Sequence, residues 1–296
     1  MPDAGALTKL TPLESLYGGS GGEELPLGPE LERLYGRLAF PQARRGPYVI
    51  ANFVQSLDGV ASLGIPATSG GQISGHNEHD RMVMGLLRAV AGAVVVGAGT
   101  ARSVPKHLWT SGYIYPALED SYAELRKKLG LSDLPLNVIV SARGEIDPSQ
   151  RVVQGEVPVL VVTTKVGAQR LAEDASIEPS RVRSVADNGK IRARDVLAAV
   201  REVADPEIVL LEGGPHLMAD FFGEDLVDEL FLTQSPLVAG RNGHERPGFV
   251  AGREFAPDMS LRGELVSAKR ADNHLFLRYA FADRETQHQR SLREEM

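Results

Sequence analysis

The chain has 296 residues, 43% of them hydrophobic, and a formal net charge of −7. That length allows one large domain or two small ones with a substantial core, and the acidic balance argues against general nucleic-acid binding. The absence of cysteine excludes disulfides, a thiolate nucleophile and cysteine-ligated zinc. No apolar run reaches bilayer length, and the first residues lack a basic region followed by an apolar one. The expectation is a soluble, cytoplasmic protein.

Residues 1–46 read as a Gly-, Pro- and Leu-rich arm packing on the body, with a flexible spot at Gly18–Gly22 and a short helix over Pro29–Leu38. The body, 47–282, opens with a strand at Tyr48–Val54 and a turn at Ser56-Leu-Asp-Gly59. A Gly- and Ser-rich loop covers about 64–75. Met82, Val83, Leu86, Leu87 and Val90 share one face of a helix over 76–90, and Arg81, Gly85 and Arg88 the opposite one. On that side a solvated Arg88 is the ordinary expectation. Ala93–Val96 is a buried strand closing on Gly97-Ala-Gly-Thr100. A helix over 119–129, strands at Asn137–Val140 and Val157–Val162, and an amphipathic helix over Ile191–Val203 follow.

Ile208–Leu211 predicts a strand that stops at Glu212, turns on Gly213 and Gly214 and enters a helix with Pro215 at its first position. Leu217, Met218, Phe221 and Phe222 then share a face. Glu229–Gln234 is another strand, and the alternating runs at 261–268 and 274–282 suit an antiparallel hairpin. Residues 283–296 form a polar tail expected to fray. Strand and helix alternate, so the fold class is α/β, a mostly parallel sheet flanked by helices with antiparallel C-terminal strands.

Ligands of open α/β sheets bind beyond the carboxyl ends of the strands. Four such ends carry small residues here: Gly97–Thr100, Ser141, Thr163-Thr164 and Glu212–Pro215. Each alone is equally an ordinary turn. Together they outline a crevice for a dinucleotide, with the glycine turn before Pro215 suited to phosphate. A Rossmann fingerprint is rejected, because Arg102 stands where the third glycine belongs and Pro105 breaks the helix. The zinc-deaminase pattern, the Gly-x-Ser-x-Gly elbow and the Walker loop are absent. His76 and His79, with Asp80, fit a solvated helix start better than a metal site.

Asn52-Phe-Val-Gln-Ser-Leu-Asp-Gly59, Leu87-Arg-Ala89, Val95-Val-Gly-Ala-Gly-Thr100, Leu211-Glu-Gly-Gly-Pro215, Leu226-Val-Asp-Glu-Leu230 and Ser235-Pro236 occur in this order. Together they resemble the C-terminal reductase domain of the bacterial riboflavin-biosynthesis deaminase/reductase, over about residues 47–282. The resemblance implies a dihydrofolate-reductase-like fold and a stand-alone, homodimeric reductase using NADPH. Its substrate would be a ribosylamino-pyrimidine of the 5-amino-6-(5-phosphoribosylamino)uracil type, reduced to the ribitylamino form. Hydride would pass to the ribose C1′ of an opened, imine-like sugar.

Carried over by motif, Thr100, Gly213, Gly214, Pro215, His216, Leu217 and Met218 fall on NADP-binding positions. Arg88 and Glu212 fall on substrate positions. Ser141 and Thr164 join the cofactor set from their strand ends. Asp58 has two readings, a cap on the turn around Gly59 or a contact with substrate. The chain departs from the family at Ser103-Val-Pro-Lys-His-Leu-Trp-Thr110, where Asp-Asp-Pro and a later substrate arginine are usual. Lys106 and His107 stand nearest, and a lysine offers only a point charge. A dihydrofolate- or pterin-type reductase and a non-catalytic NADP-binding protein are the alternatives.

Overall fold

The computed structural model describes residues 10–19, 21–41, 46–64, 69–173, 177–242 and 246–281. The expected polar tail at 283–296 lies outside them. The arm contributes β1 (Glu14–Gly18), β2 (Glu23–Glu24), α1 (Pro29–Tyr35) and β3 (Ala39–Phe40). The body begins with β4 (Tyr48–Gln55), α2 (Ser69–Ile73), α3 (Glu78–Val90), β5 (Ala93–Gly97) and α4 (Ala98–Ser103). It continues through α5 (Ser111–Ile114), α6 (Glu119–Lys128), β6 (Leu136–Ser141), β7 (Val159–Thr164), α7 (Lys165–Glu173) and β8 (Val182–Ala186). Last come α8 (Ala193–Val203), β9 (Ile208–Leu211), α9 (Pro215–Gly223), β10 (Glu229–Gln234), β11 (Glu264–Ala271) and β12 (His274–Ala280).

One sheet orders these strands β1-β11-β12-β10-β4-β9-β5-β6-β7-β8, and β2 pairs with β3 separately. From β10 to β8 every pairing is parallel, whereas β12, β11 and β1 add on antiparallel. The mostly parallel sheet with antiparallel C-terminal strands is the architecture expected. Val94–Val96, Val138–Ile139 and Leu160–Val162 are buried on both faces, which is why those runs are continuously apolar. One face packs on α3, α6 and the arm, the other on α8 and α9.

Three local expectations change. The loop over 64–75 contains the short helix α2. Gly97–Thr100 is more than a turn, because Ala98 already starts α4. His79 is not solvated: it is buried and bonds the Thr11 carbonyl oxygen at 2.9 Å, because the arm lies over the start of α3. Asn77 caps that helix, accepting from the Asp80 N–H at 3.0 Å.

The arm shares the core. Leu10, Leu13, Leu27, Leu31, Leu34, Leu38 and Phe40 are buried in one cluster with Met82 and Leu86 of α3. It also closes over charge: Arg278 pairs with Glu229, and its Nη2 donates to the Ala39 carbonyl oxygen at 2.6 Å. Tyr48 donates to the same glutamate at 2.7 Å, and Lys269 to the Tyr35 carbonyl oxygen at 2.7 Å. β1 is exposed throughout and carries no alternation. Backbone pairing with β11 and the Arg270–Glu14 ion pair hold it.

Candidate functional site

Parallel register brings the four strand ends named from the sequence to one edge. β9, β5, β6 and β7 are consecutive neighbours, so Glu212, Gly97, Ser141 and Thr163 leave the sheet side by side. Two backbone bonds join the glycine turns, Glu212 N–H to Val95 O at 3.1 Å and Gly97 N–H to Gly213 O at 2.9 Å. Gly213 has φ 116°, and the Gly213–Gly214 peptide is cis. A Cβ on Gly213 or Gly214 would lie 3.3 or 3.1 Å from Thr100 Oγ1, whereas one on Gly99 would meet nothing within 4 Å. The result is a shallow cradle walled by Thr100 and open above Gly99. No side chain caps the start of α9 at Gly214, which leaves its first N–H groups suited to an anion.

His216 is exposed beside this cradle. The segment 246–252 forms the neighbouring wall, with Ala251 N–H on Pro215 O at 3.1 Å and Ala61 N–H on Pro247 O at 2.9 Å. Leu217 is partly buried. Met218 is 1% exposed and belongs to the core beneath α9, so its side chain cannot be a ligand contact.

The Ser141 and Thr164 hydroxyls make bonds within the scaffold. Thr164 is 1% exposed; its hydroxyl donates to Ala142 O at 2.8 Å and accepts from Gly167 N–H at 3.1 Å. Ser141 is a buried residue, and its Oγ accepts from Glu145 N–H at 3.1 Å. Thr163 donates to Ser141 O at 2.6 Å. These hydroxyls stitch the β6 and β7 exits together.

Arg88 is the larger correction. The solvated position expected from the helical wheel is 1% exposed, because α5 and the 107–110 segment cover that side of α3. A guanidinium carries five N–H donors, and all five are used. Nε and Nη2 grip Glu212 at 2.9 and 2.6 Å, Nη1 donates to Leu108 O at 3.3 Å and Thr110 O at 3.2 Å, and Nη2 also meets His107 Nε2 at 3.0 Å. His107 Nε2 accepts that bond, which assigns the ring proton to Nδ1. Burial and the charges of Arg88 and Arg81 hold its pKa far below the ordinary value. The ring packs edge-on between Trp109 and Tyr113, with centroids 5.0 and 4.8 Å away. Arg88 has no free donor for a substrate phosphate, while Lys106 is exposed. No local pattern in the sequence announces this pair, whose members are 124 positions apart.

Asp58 takes the capping role. It accepts from the Ser56 hydroxyl at 2.6 Å, Ala239 N–H at 3.0 Å and Gly240 N–H at 2.8 Å. Those donors hold its carboxyl well below the usual range and leave no oxygen without a bond. Asp80 was read from the sequence only as part of a helix start. It is 4% exposed, and burial pushes its pKa from 3.8 up to about 6, against the pull of Thr233, His274 and Ser74 and with a push from Glu212. An acid whose pKa rises on folding is penalised when ionised, so its share of stability is present below about pH 4 and lost as pH rises through about 6. Asp80→Asn is therefore expected to raise the melting temperature above pH 6, with the gain vanishing near pH 4. Melting curves across that range check it, and a pH-independent difference would contradict the burial argument.

Among the described residues no group of His, Asp and Glu could hold a metal ion, and no helix is long and apolar enough to cross a membrane. The frame is that of an α/β reductase. The family model described as RibD C-terminal domain matches residues 47–277, and the chain belongs to that family, the one its motifs resemble. A relative from Archaeoglobus fulgidus, a 2,5-diamino-6-ribosylamino-4(3H)-pyrimidinone 5′-phosphate reductase, is 29% identical over 215 residues, 71% of this chain and 88% of that one. A pyrimidine reductase-like protein from Corynebacterium diphtheriae superposes with a TM-score of 0.64 at 24% identity, covering 86% of this chain and 98% of the other. The deaminase/reductase from Thermotoga maritima superposes with a TM-score of 0.56 at 20% identity, covering 80% of this chain and 57% of the other. Both solved structures are similar in fold.

Proposed function

We propose that the chain is an NADPH-dependent reductase of a riboflavin-pathway ribosylamino-pyrimidine phosphate. The observation that carries this is the cradle of Gly213, Gly214 and Thr100 set directly beside the anchored carboxylate of Glu212. The family and the activity of the archaeal relative support the substrate class.

The backbone from Gly213 to Leu217 and the Thr100 hydroxyl would hold the cofactor's pyrophosphate, since a Cβ at either glycine would crowd Thr100. When bound, the nicotinamide supplies the hydride that reduces the sugar carbon. Glu212 faces the acceptor side. Arg88 occupies one acceptor position on each of its carboxylate oxygens, and each oxygen can accept a second bond. Those remaining positions suit a ring N–H or a sugar hydroxyl. Arg88 is then a positioning residue, fixing the glutamate and docking the 107–110 segment.

Gly214→Val is expected to weaken NADPH binding at least about tenfold by crowding Thr100 and blocking backbone approach, with an unchanged circular dichroism spectrum. Unchanged affinity in a folded variant would remove the cradle argument. The decisive assay follows NADPH oxidation with the ribosylamino-pyrimidine phosphate and with dihydrofolate. Turnover of the first alone supports the proposal, and turnover of dihydrofolate alone supports the pterin-type reading. NADPH binding without either turnover makes the chain a non-catalytic binding protein. The resemblance also implies a cytoplasmic homodimer, and light scattering giving twice the 31.9 kDa chain mass checks the assembly.

A further inference from the structure

One buried carboxyl, that of Asp80, belongs neither to the cradle nor to the Glu212 anchor. β9 stops pairing with β4 at Leu211 and Ala51, whereas β4 and β10 stay paired as far as Gln55 and Gln234. The strip of β4 from Asn52 to Gln55 therefore projects past the glycine turn. Side chains alternate along a strand, and Ile50, Leu210 and Phe231 face the core under α3. Asn52, Val54, Glu212 and Thr233 stand two or four residues further on and turn to that same side. Above them Asp80, Met84 and Arg88 form one ridge of α3, at i, i+4 and i+8. Arg88 holds Glu212 at one end, and Asp80 lies against Thr233 at the other. Met84 and Val54, between the two ends, are only partly buried.

The two carboxyls are unlike. Glu212 has its arginine, but among the described residues no lysine or arginine pairs with Asp80. Its carboxyl faces the hydroxyls of Thr233 and Ser74, and His274 of β12 acts on it too. Both ring nitrogens of that histidine are engaged elsewhere: Nδ1 accepts from Asn77 Nδ2 at 3.2 Å, and Nε2 donates to Ser74 O at 3.0 Å. A charge buried without a partner costs stability, and one kept at that cost suits a group that brings its own donors. Asn52 points the same way: it is 8% exposed, and its side-chain amide has no hydrogen-bond partner among the described residues. β9 and β10 flank β4, and two strand spacings put the carboxyls roughly 10 Å apart. A six-membered ring hydrogen-bonded on opposite edges spans that gap.

We propose that Asp80 reads the pyrimidine edge of the acceptor and selects a pyrimidin-4(3H)-one with an amino group at C2 over the 2-oxo ring of a uracil. The inference rests on the reductase reading above and narrows its substrate. An ionised carboxylate only accepts hydrogen bonds. The 2-amino ring offers it two parallel donors, N3–H and an amino N–H, the pattern a carboxylate takes from a guanidinium fork. The uracil ring sets C2=O where the second donor belongs. Two acceptors then meet with no proton between them, and a desolvated oxygen is left unbonded.

The test follows NADPH oxidation near pH 8, above the pKa of about 6 to which burial pushes Asp80, so that the carboxyl is ionised. The two acceptors are ribosylamino-pyrimidine phosphates that differ only at C2, amino in one and oxo in the other. The wild-type chain is expected to favour the amino ring roughly a hundredfold in kcat/KM. Asp80→Asn exchanges one acceptor for a donor, which matches N3–H beside C2=O. That variant should reverse the preference while its melting temperature stays at or above the wild-type value. A wild-type chain that reduces both rings equally well, or prefers the uracil, overturns the Asp80 assignment and leaves the reductase reading standing. Equal losses on both rings in the folded variant overturn it too, because Asp80 would then only support the packing of α3. A wild-type chain that reduces neither ring overturns the reductase reading beneath.

Discussion

Replacing Arg88 with alanine is expected to cost about 3–5 kcal/mol of stability, the range for breaking one side of a buried ion pair. The loss is large because the arginine is the hub of five bonds. Its removal strands the Glu212 carboxylate, whose side chain is 4% exposed, and unpairs the Leu108 and Thr110 carbonyl oxygens and His107 Nε2. Native domains are stable by only about 5–15 kcal/mol, so urea unfolding should show a much lower midpoint with an unchanged slope. Replacing both members, Arg88→Met with Glu212→Gln, should recover part of the loss because no uncompensated charge remains. Reductase activity should stay low in both variants, since Glu212 is displaced or gone. A loss below about 1 kcal/mol for Arg88→Ala, the size typical of an exposed pair, would mean that the ion pair is not the keystone its geometry indicates.

Deleting the arm, residues 1–46, is expected to leave a chain that no longer unfolds cooperatively. The buried arm side chains Leu31, Leu34, Leu38 and Phe40 are at most 1% exposed. At about 1.5–3 kcal/mol for each large apolar side chain, these four alone contribute several kcal/mol before the chain entropy regained is subtracted. The deletion also bares the Arg278–Glu229 pair and the face of α3 that carries Met82 and Leu86. Calorimetry of the shortened chain should show a broad transition or none. Because such a chain could simply fail to express, Leu31→Ala provides a second measure, with an expected loss of about 2–5 kcal/mol from the cavity it leaves. A shortened chain that melts cooperatively at the full-length temperature would show that the arm only decorates the body.

Much of the fold was legible in local pattern. The apolar runs before Gly97, Ser141, Thr164 and Glu212 are strands, and the positions of those glycine and polar residues mark where each strand leaves the sheet. The hairpin of β11 and β12 was legible from alternation. The strand β1 was not, because an exposed edge strand held by backbone pairing leaves no apolar period. The segment 103–110, which departs from the family pattern, was legible as a departure. That it docks through His107 and two carbonyl oxygens onto Arg88 was not.

By itself the sequence determined the parallel α/β framework, the glycine cradle and the reductase family, because periodicity, glycine turns and short motifs are local properties of the chain. Only the tertiary structure decided which polar groups are spent. Ser141, Thr164, Asp58 and Arg88 all looked available as ligands. Each makes bonds within the protein, to a neighbouring strand exit, a loop or a distant carboxylate. Whether a hydroxyl or guanidinium faces a ligand or a carbonyl oxygen depends on what lies opposite once strands far apart in sequence are side by side. No local pattern carries that information.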